Sequence, residues 1–376
     1  MNRKLSGVLG ALGLLLGWLA PAKATILFAG TEDFSFLCDS GATCGTTTTG
    51  GGTNFRSAYS RSAFNVSGSG ATNDPPTNRF TTIGNLGSAT FTATQEIWLH
   101  FIYTQTSNGT DANAQLIRFK DDAGNAAIIA RGTGSAGQIK FSSRTSGGVF
   151  TDLVTCSATT YPSSTPLQQI DIDIKLAASG FIHAYANGVD YCDFVGDTTN
   201  GDASTKWNNV TLAGAKSTDT SYYSEVIVAT TNTNGMGYLS SYANAAGNQT
   251  QFTGTNACTT ILNNNPVNDA SFAATATNSQ TEQCATYNTL PSGVFTVEAV
   301  IIKARALRGA AGPQNFQFDP RVGGTDYPGT NVNPTTSFAN YSSILATNPA
   351  TSAAWTTSDV SGSAPNLNLS GVFSQP

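Results

Sequence analysis

From Gln168 to Val195 apolar and polar residues alternate almost without interruption. Ile170, Ile172, Ile174 and Leu176 fall on one side, and Asp171, Asp173 and Lys175 on the other. Period-two alternation predicts a strand with one buried face. Ser179-Gly180 predicts a turn, Phe181–Ala186 a returning strand, and Asn187-Gly188 a tight hairpin into Val189–Phe194. Asn-Gly between alternating runs is a strong short-range hairpin signal, because both residues tolerate positive φ. The segment therefore predicts an antiparallel meander.

The same reading extends along the chain. Strands are predicted at 25–29, 55–59, 79–80, 89–92, 96–103, 114–120, 126–131, 138–143 and 150–156. More follow at 168–176, 181–187, 190–195, 208–213 and 222–229. Many short strands separated by Gly, Asn and Asp turns predict a sandwich or barrel. Polar, unpatterned Thr230–Gly235 reads as a linker or domain-edge loop. A second β set is predicted beyond it, at 237–242, 251–254, 259–262, 280–287, 294–305, 315–318, 325–328, 338–346 and 366–373. The Phe338, Tyr341, Leu345 spacing also suits a short helix.

The first 24 residues break the pattern. Asn2-Arg3-Lys4 is basic, Leu5–Ala20 is apolar, and Ala22-Lys23-Ala24 suits cleavage by a signal peptidase. The predicted organisation is a signal peptide at 1–24, a β-sandwich at 25–230 and a smaller C-terminal β-sandwich at 231–376. No transmembrane anchor is expected after cleavage, and the location is secreted: extracellular, cell-surface or periplasmic.

Charged residues are 11% of the chain, against about a quarter in ordinary globular proteins. Apolar residues still reach 39% and fall in strand patterns, so the low charge describes a neutral, hydroxyl-rich β surface. A net charge of −5 argues against nucleic acid, whose binding rests on neutralising phosphates. The six cysteines are Cys38, Cys44, Cys156, Cys192, Cys258 and Cys284. An even number behind an export signal predicts disulfides. Several connectivities are open. Pairing neighbours is the simplest, and each of the two longer loops would then contribute about 3–4 kcal/mol.

Few motifs carry chemistry. Gly132-x-Gly134-x-x-Gly137 fits the dinucleotide fingerprint, but a strand follows where a helix is needed, so it reads as a hairpin loop. His100 and His183 lie inside predicted strands and read as structural. No serine-nucleophile elbow or zinc signature is present. Asp171 and Asp173 share a face, a geometry that could serve glycoside chemistry, although alternating solvated residues explain them too. Asp197, Asn200 and Asp202 form an oxygen-rich loop, a candidate calcium site. Trp207, Tyr222 and Tyr223 are candidates for stacking on sugar rings. Lys303, Arg305 and Arg308 read as a solvated face or edge protection.

Four stretches share the arrangement of a known fold: Leu116–Gly124, Leu167–Asp173, Gly180–Gly188 and Ser224–Ala229. Their strand faces, Asp-x-x-Gly hairpin and Tyr-x-Asn-Gly hairpin resemble the concanavalin A-like, or laminin G-like, jelly roll. That resemblance implies a sandwich, and in many members glycan binding, often with calcium. A second resemblance rests on Thr25–Asp33, Gly312–Asn315 and Thr347–Trp355. These look like segments of certain tailed-phage virion structural proteins, which pair a jelly roll with a second small sandwich. The export signal points instead to a related surface or assembly protein. Neither resemblance supplies a catalytic residue. The expectation is a secreted, non-enzymatic protein that binds glycan or other copies of itself. The alternatives are a virion or tail-like component and a glycoside-active enzyme using an unrecognised carboxylate pair.

Overall fold

The computed structural model describes residues 25–30, 43–47, 54, 56, 63–67, 80–83 and most of 94–240. It further describes 245–253, 269–285, 296–360 and 367–373. The predicted signal peptide lies outside the described residues. So do Cys38, Cys258 and the predicted strands at 89–92 and 259–262.

The chain is nearly all β. Its first fourteen strands build two antiparallel sheets. They are β1 (Ile26–Gly30), β2 (Thr43–Thr47), β3 (Ala63–Ser67), β4 (Phe80–Ile83), β5 (Glu96–Gln105), β6 (Gln115–Asp121) and β7 (Ala126–Gly132). β8 (Ile139–Arg144), β9 (Phe150–Thr155), β10 (Gln168–Lys175), β11 (Gly180–Ala186), β12 (Val189–Gly196), β13 (Trp207–Ala213) and β14 (Thr220–Ala229) complete them. The larger sheet runs β12-β11-β10-β5-β14-β3-β2, with β1 also on β14. The facing sheet runs β4-β13-β6-β7-β8-β9. This is the jelly-roll sandwich that the sequence predicts.

The alternation decides what lies between the sheets. Ile97, Leu99, Phe101 and Tyr103 of β5 and Ile170, Ile172 and Ile174 of β10 point inward. They meet Ile117, Phe119, Ile128, Phe141, Val210 and Leu212 of the opposing sheet. Each such side chain, fully removed from water, contributes about 1.5–3 kcal/mol. The predicted Asn187-Gly188 hairpin is present, with φ of 52° and 78°. On β12 a bulge sets Tyr185 opposite Asp190 and Ala184 opposite Cys192. Tyr191 and Cys192 then both face the core, and Cys192 joins Cys156 across the sandwich edge.

The remaining strands lie in other sheets. β15 (Ala245–Thr250), β16 (Gln280–Ala285), β18 (Phe316–Val322), β19 (Thr325–Asp326), β20 (Asn331–Val332) and β22 (Leu367–Phe373) form one. β17 (Val300–Ala306) and β21 (Ala339–Leu345) form a two-stranded ribbon. Ile302 and Ala306 of the ribbon pack with Phe316, Phe318 and Tyr341. The Phe338–Leu345 ambiguity resolves as a strand, because β21 pairs along its length with β17. The only helix among the described residues is α1 (Thr357–Val360), and none is long and apolar enough to cross a membrane.

Thr230–Gly235, read as a linker or domain-edge loop, folds back on the larger sheet, where Thr233 is fully buried. Two expectations change. Gly237–Ser240 forms no strand. Instead Met236 and Tyr238 pack with Ile301 against Ala29, Ile227 and Ala229. Lys303 is not a solvated charge either. Its ammonium lies 4.9 Å from the Phe28 ring centre and 5.6 Å from that of Tyr238, while Arg305 makes a two-pronged pair with Asp269. Long cationic side chains cover apolar surface with their stems and rings with their heads.

Candidate functional site

The outward positions of the larger sheet are unusually rich in chemistry. Strand register sets them in rows. Asp193, His183, Asp173 and Trp98 line up across β12, β11, β10 and β5, and Tyr185, Asp171 and His100 form the next row. Lys175 lies beside Glu96 and Phe181 in the row on the other side. The fold-back after β14 covers one half of this face and leaves the half with Glu96, Lys175, His183 and Tyr185 partly open.

In the covered half, His100 Nδ1 lies 2.8 Å from Asp171 Oδ1. Thr233 donates to the same oxygen at 2.8 Å, and Gln169 donates to Oδ2 at 2.9 Å. Burial works to raise the Asp171 pKa. The hydrogen bonds from His100, Gln169 and Thr233 outweigh it and hold the carboxyl below its ordinary value. Both side chains are fully buried. Asp171 is therefore committed to the fold and is not available as half of a reacting pair.

Asp173 is different. It is 7% exposed, and its Oδ1 has no hydrogen-bond partner among the described residues. Burial, with the charge of Glu96 second, pushes its pKa up to about 7. A carboxyl that keeps its proton up to near neutrality is able to act as an acid. Glu96 pairs in register with Lys175, two residues beyond Asp173, so the two acids are diagonal neighbours on one face. Such positions are about 7–8 Å apart at the backbone, within reach of the roughly 5–10 Å needed between paired carboxyls.

Next to this pair, Trp98 and Tyr185 stack nearly parallel, with centroids 6.1 Å apart and planes at 10°. His183 Nδ1 is paired with Asp193, and its ring lies 4.8 Å from that of Phe181. A half-exposed aromatic beside carboxyls and a lysine can stack on a sugar face while the polar groups bond its hydroxyls.

The predicted site residues fare unevenly. Trp207 and Tyr223 are fully buried between the sheets and cannot stack on a ligand. Trp207 Nε1 donates to the Ile174 carbonyl at 3.3 Å, and Tyr223 Oη donates to that of Ala213 at 2.5 Å. Their aromatic bulk fills the core, which the sequence pattern did not separate from surface display. Tyr222 points outward from β14, half-buried, opposite Thr104 and Asn65. Asp197 accepts from Thr199 and from the Asn200 amide, and Asp202 accepts from Ser204 and lies 3.6 Å from Arg144. The Asn200 side chain turns to the Ser143 carbonyl. These three residues thus build a self-bonded turn rather than converging on a point. Among the described residues no group of three or more His, Cys, Asp or Glu could hold a metal ion.

Cys156–Cys192 is bonded as predicted, and Cys284 is also disulfide-bonded. A disulfide fits an oxidising compartment outside the cytoplasm. Of the segments similar to virion proteins, Ile26–Gly30 forms β1, and Gly312–Asn315 and Thr347–Trp355 lie before β18 and α1.

No family model matches the chain, and no curated protein matches it. Solved structures share its sandwich at low identity. An endo-β-1,4-glucuronan lyase from the fungus Trichoderma reesei is 12% identical, with a TM-score of 0.38 over 56% of this chain and 98% of that one. The alginate lyase Aly36B is 12% identical, with a TM-score of 0.29 over 57% of this chain and 100% of that one. A tetrameric galectin from the ball sponge Cinachyrella sp. is 12% identical, with a TM-score of 0.28 over 39% and 96%. The likeness is one of the β-sandwich fold alone. It corrects one expectation. The chain was read as non-enzymatic, but polysaccharide lyases are among the structures similar to it, so the fold gives no ground for that exclusion.

Proposed function

We propose that this is an exported carbohydrate-active protein that holds a polysaccharide on the open half of the larger sheet's outer face and cleaves it by acid–base chemistry. The observation that carries the reading is Asp173, buried, unpartnered at Oδ1 and protonated up to about neutral pH, beside Glu96 and the Trp98–Tyr185 stack. Tyr185 gives the sugar a platform. Asp173 donates its proton to the departing glycosidic oxygen as the C–O bond breaks, and Glu96 on the opposite side of the sugar either takes a proton from the water that attacks the same carbon or itself forms a glycosyl ester that water then hydrolyses. The pair differs from the Asp171–Asp173 combination suggested by the sequence, because Asp171 is tied to His100.

The experiment is a screen of neutral, acidic and amino-sugar polysaccharides with the full chain, following new reducing ends and unsaturated ends. Release of either supports the reading, and unsaturated ends would assign elimination rather than hydrolysis. Binding without release across the panel contradicts it. Filaments formed without any glycan binding would favour the assembly role instead.

A further inference from the structure

The open half of the face is asymmetric in charge. Carboxyls come from four positions: Glu96 on β5, Asp173 on β10, and Asp190 and Asp193 on β12. Lys175 is the cationic group facing them, and His183 is paired with Asp193. The carboxyls gather around one ring. Tyr185 is in register with Asp190, and the rows on its side bring Asp173 and Asp193 to it. Burial raises the Tyr185 phenol, and the charges of Asp190 and Asp193 raise it further, joined by that of Asp173 only above about pH 7, where it ionises. Asp173 Oδ1 remains buried with no partner among the described residues, a polar atom that a ligand donor would satisfy.

An aromatic face ringed by carboxyls attracts cations by charge and by the ring's quadrupole, and repels anions. We infer that the carbohydrate taken by this face carries protonated amines, a glucosamine-type polymer whose ammonium groups sit against Tyr185 near Asp190 and Asp193. The inference rests on the proposed carbohydrate face and names its substrate class. A polyuronate would bring carboxylates to a surface already short of cations.

The test uses calorimetry on the full chain in mildly acidic buffer. The probes are glucosamine oligomers, their N-acetylated counterparts of equal length, and glucuronic acid oligomers. Glucosamine oligomers should bind about tenfold more tightly than the N-acetylated ones, and the difference should shrink as salt rises. The double variant Asp190→Asn/Asp193→Asn, at exposed positions, should lose most of that difference while keeping the melting temperature. Equal or tighter binding of the N-acetylated or uronic oligomers, lost in Tyr185→Leu, would overturn the amine inference and leave the carbohydrate face standing. Binding of none of the three probes would overturn the amine inference, and the carbohydrate face falls with it only if the neutral polysaccharides of the wider screen also fail to bind.

Discussion

His100 and Asp171 face each other on adjacent strands, with Nδ1 of the histidine 2.8 Å from a carboxylate oxygen, and both are fully buried. Thr233 closes over the same oxygen from the segment after β14. The contact fastens the fold-back to the sheet and so sets the boundary of the open face.

Removing one partner should leave a buried, poorly compensated group. His100→Ala should cost about 3–5 kcal/mol, read from the urea midpoint. The Asp171 pKa is lowered in the fold, so its contribution is present above the ordinary carboxylate range and is lost as pH falls through the folded value. Acid unfolding of the wild type should therefore steepen below about pH 4, and Asp171→Asn should flatten it.

Asp173 should show the opposite dependence. Its folded pKa of about 7 lies above the unfolded value of about 3.9, so the native state binds the extra proton in that window. Stability from this group is fully present below about pH 4, declines as pH rises through the window up to about 7, and levels off above it. Asp173→Asn should remove the decline and gain on the order of 4 kcal/mol at about pH 8, with little change at about pH 4. Thermal melts across pH, wild type against variant, read this directly.

Core and face aromatics should separate cleanly. Trp207→Ala should cost about 3–5 kcal/mol through the cavity it leaves, yet the folded fraction should bind glycan normally. Tyr185→Leu should do the reverse, weakening binding about tenfold or more with a small change in melting temperature. Equal binding losses in both variants would mean that the face has been misplaced.

The Cys156–Cys192 bond closes a separation of 36 residues. The double change to alanine should cost about 3–4 kcal/mol in guanidinium titrations. A reducing agent should destabilise the wild type by more than the variant, which lacks this bond.

The alternation of Ile170, Ile172 and Ile174 made β10 legible, and Asn187-Gly188 made its hairpin partner legible, because both signals are local. The strands Ala63–Ser67 and Ala245–Thr250 were missed: in the first, the alternation of Phe64 and Val66 with Asn65 spans only five residues, and in the second the run Ala-Ala-Gly-Asn-Gln-Thr carries little periodic contrast, so pairing with neighbouring strands decides both. Asp171 and Asp173 looked equivalent in sequence. What separates them is long-range: His100 from β5 and Thr233 from the fold-back reach one and not the other. Trp207 was misjudged for a related reason, since a tryptophan at a strand's start reads the same whether its ring turns inward or out. Tyr185 carried a recognisable signal, an aromatic on the polar side of an alternating strand opposite Asp171.

The most direct measurement is turnover of a cleavable polysaccharide by wild type and Asp173→Asn, compared at equal folded concentration. The expected result is a fall in kcat of about a hundredfold or more, with binding retained, because the substitution removes only the transferable proton. Undiminished turnover in Asp173→Asn would contradict the role given to the buried acid on this face.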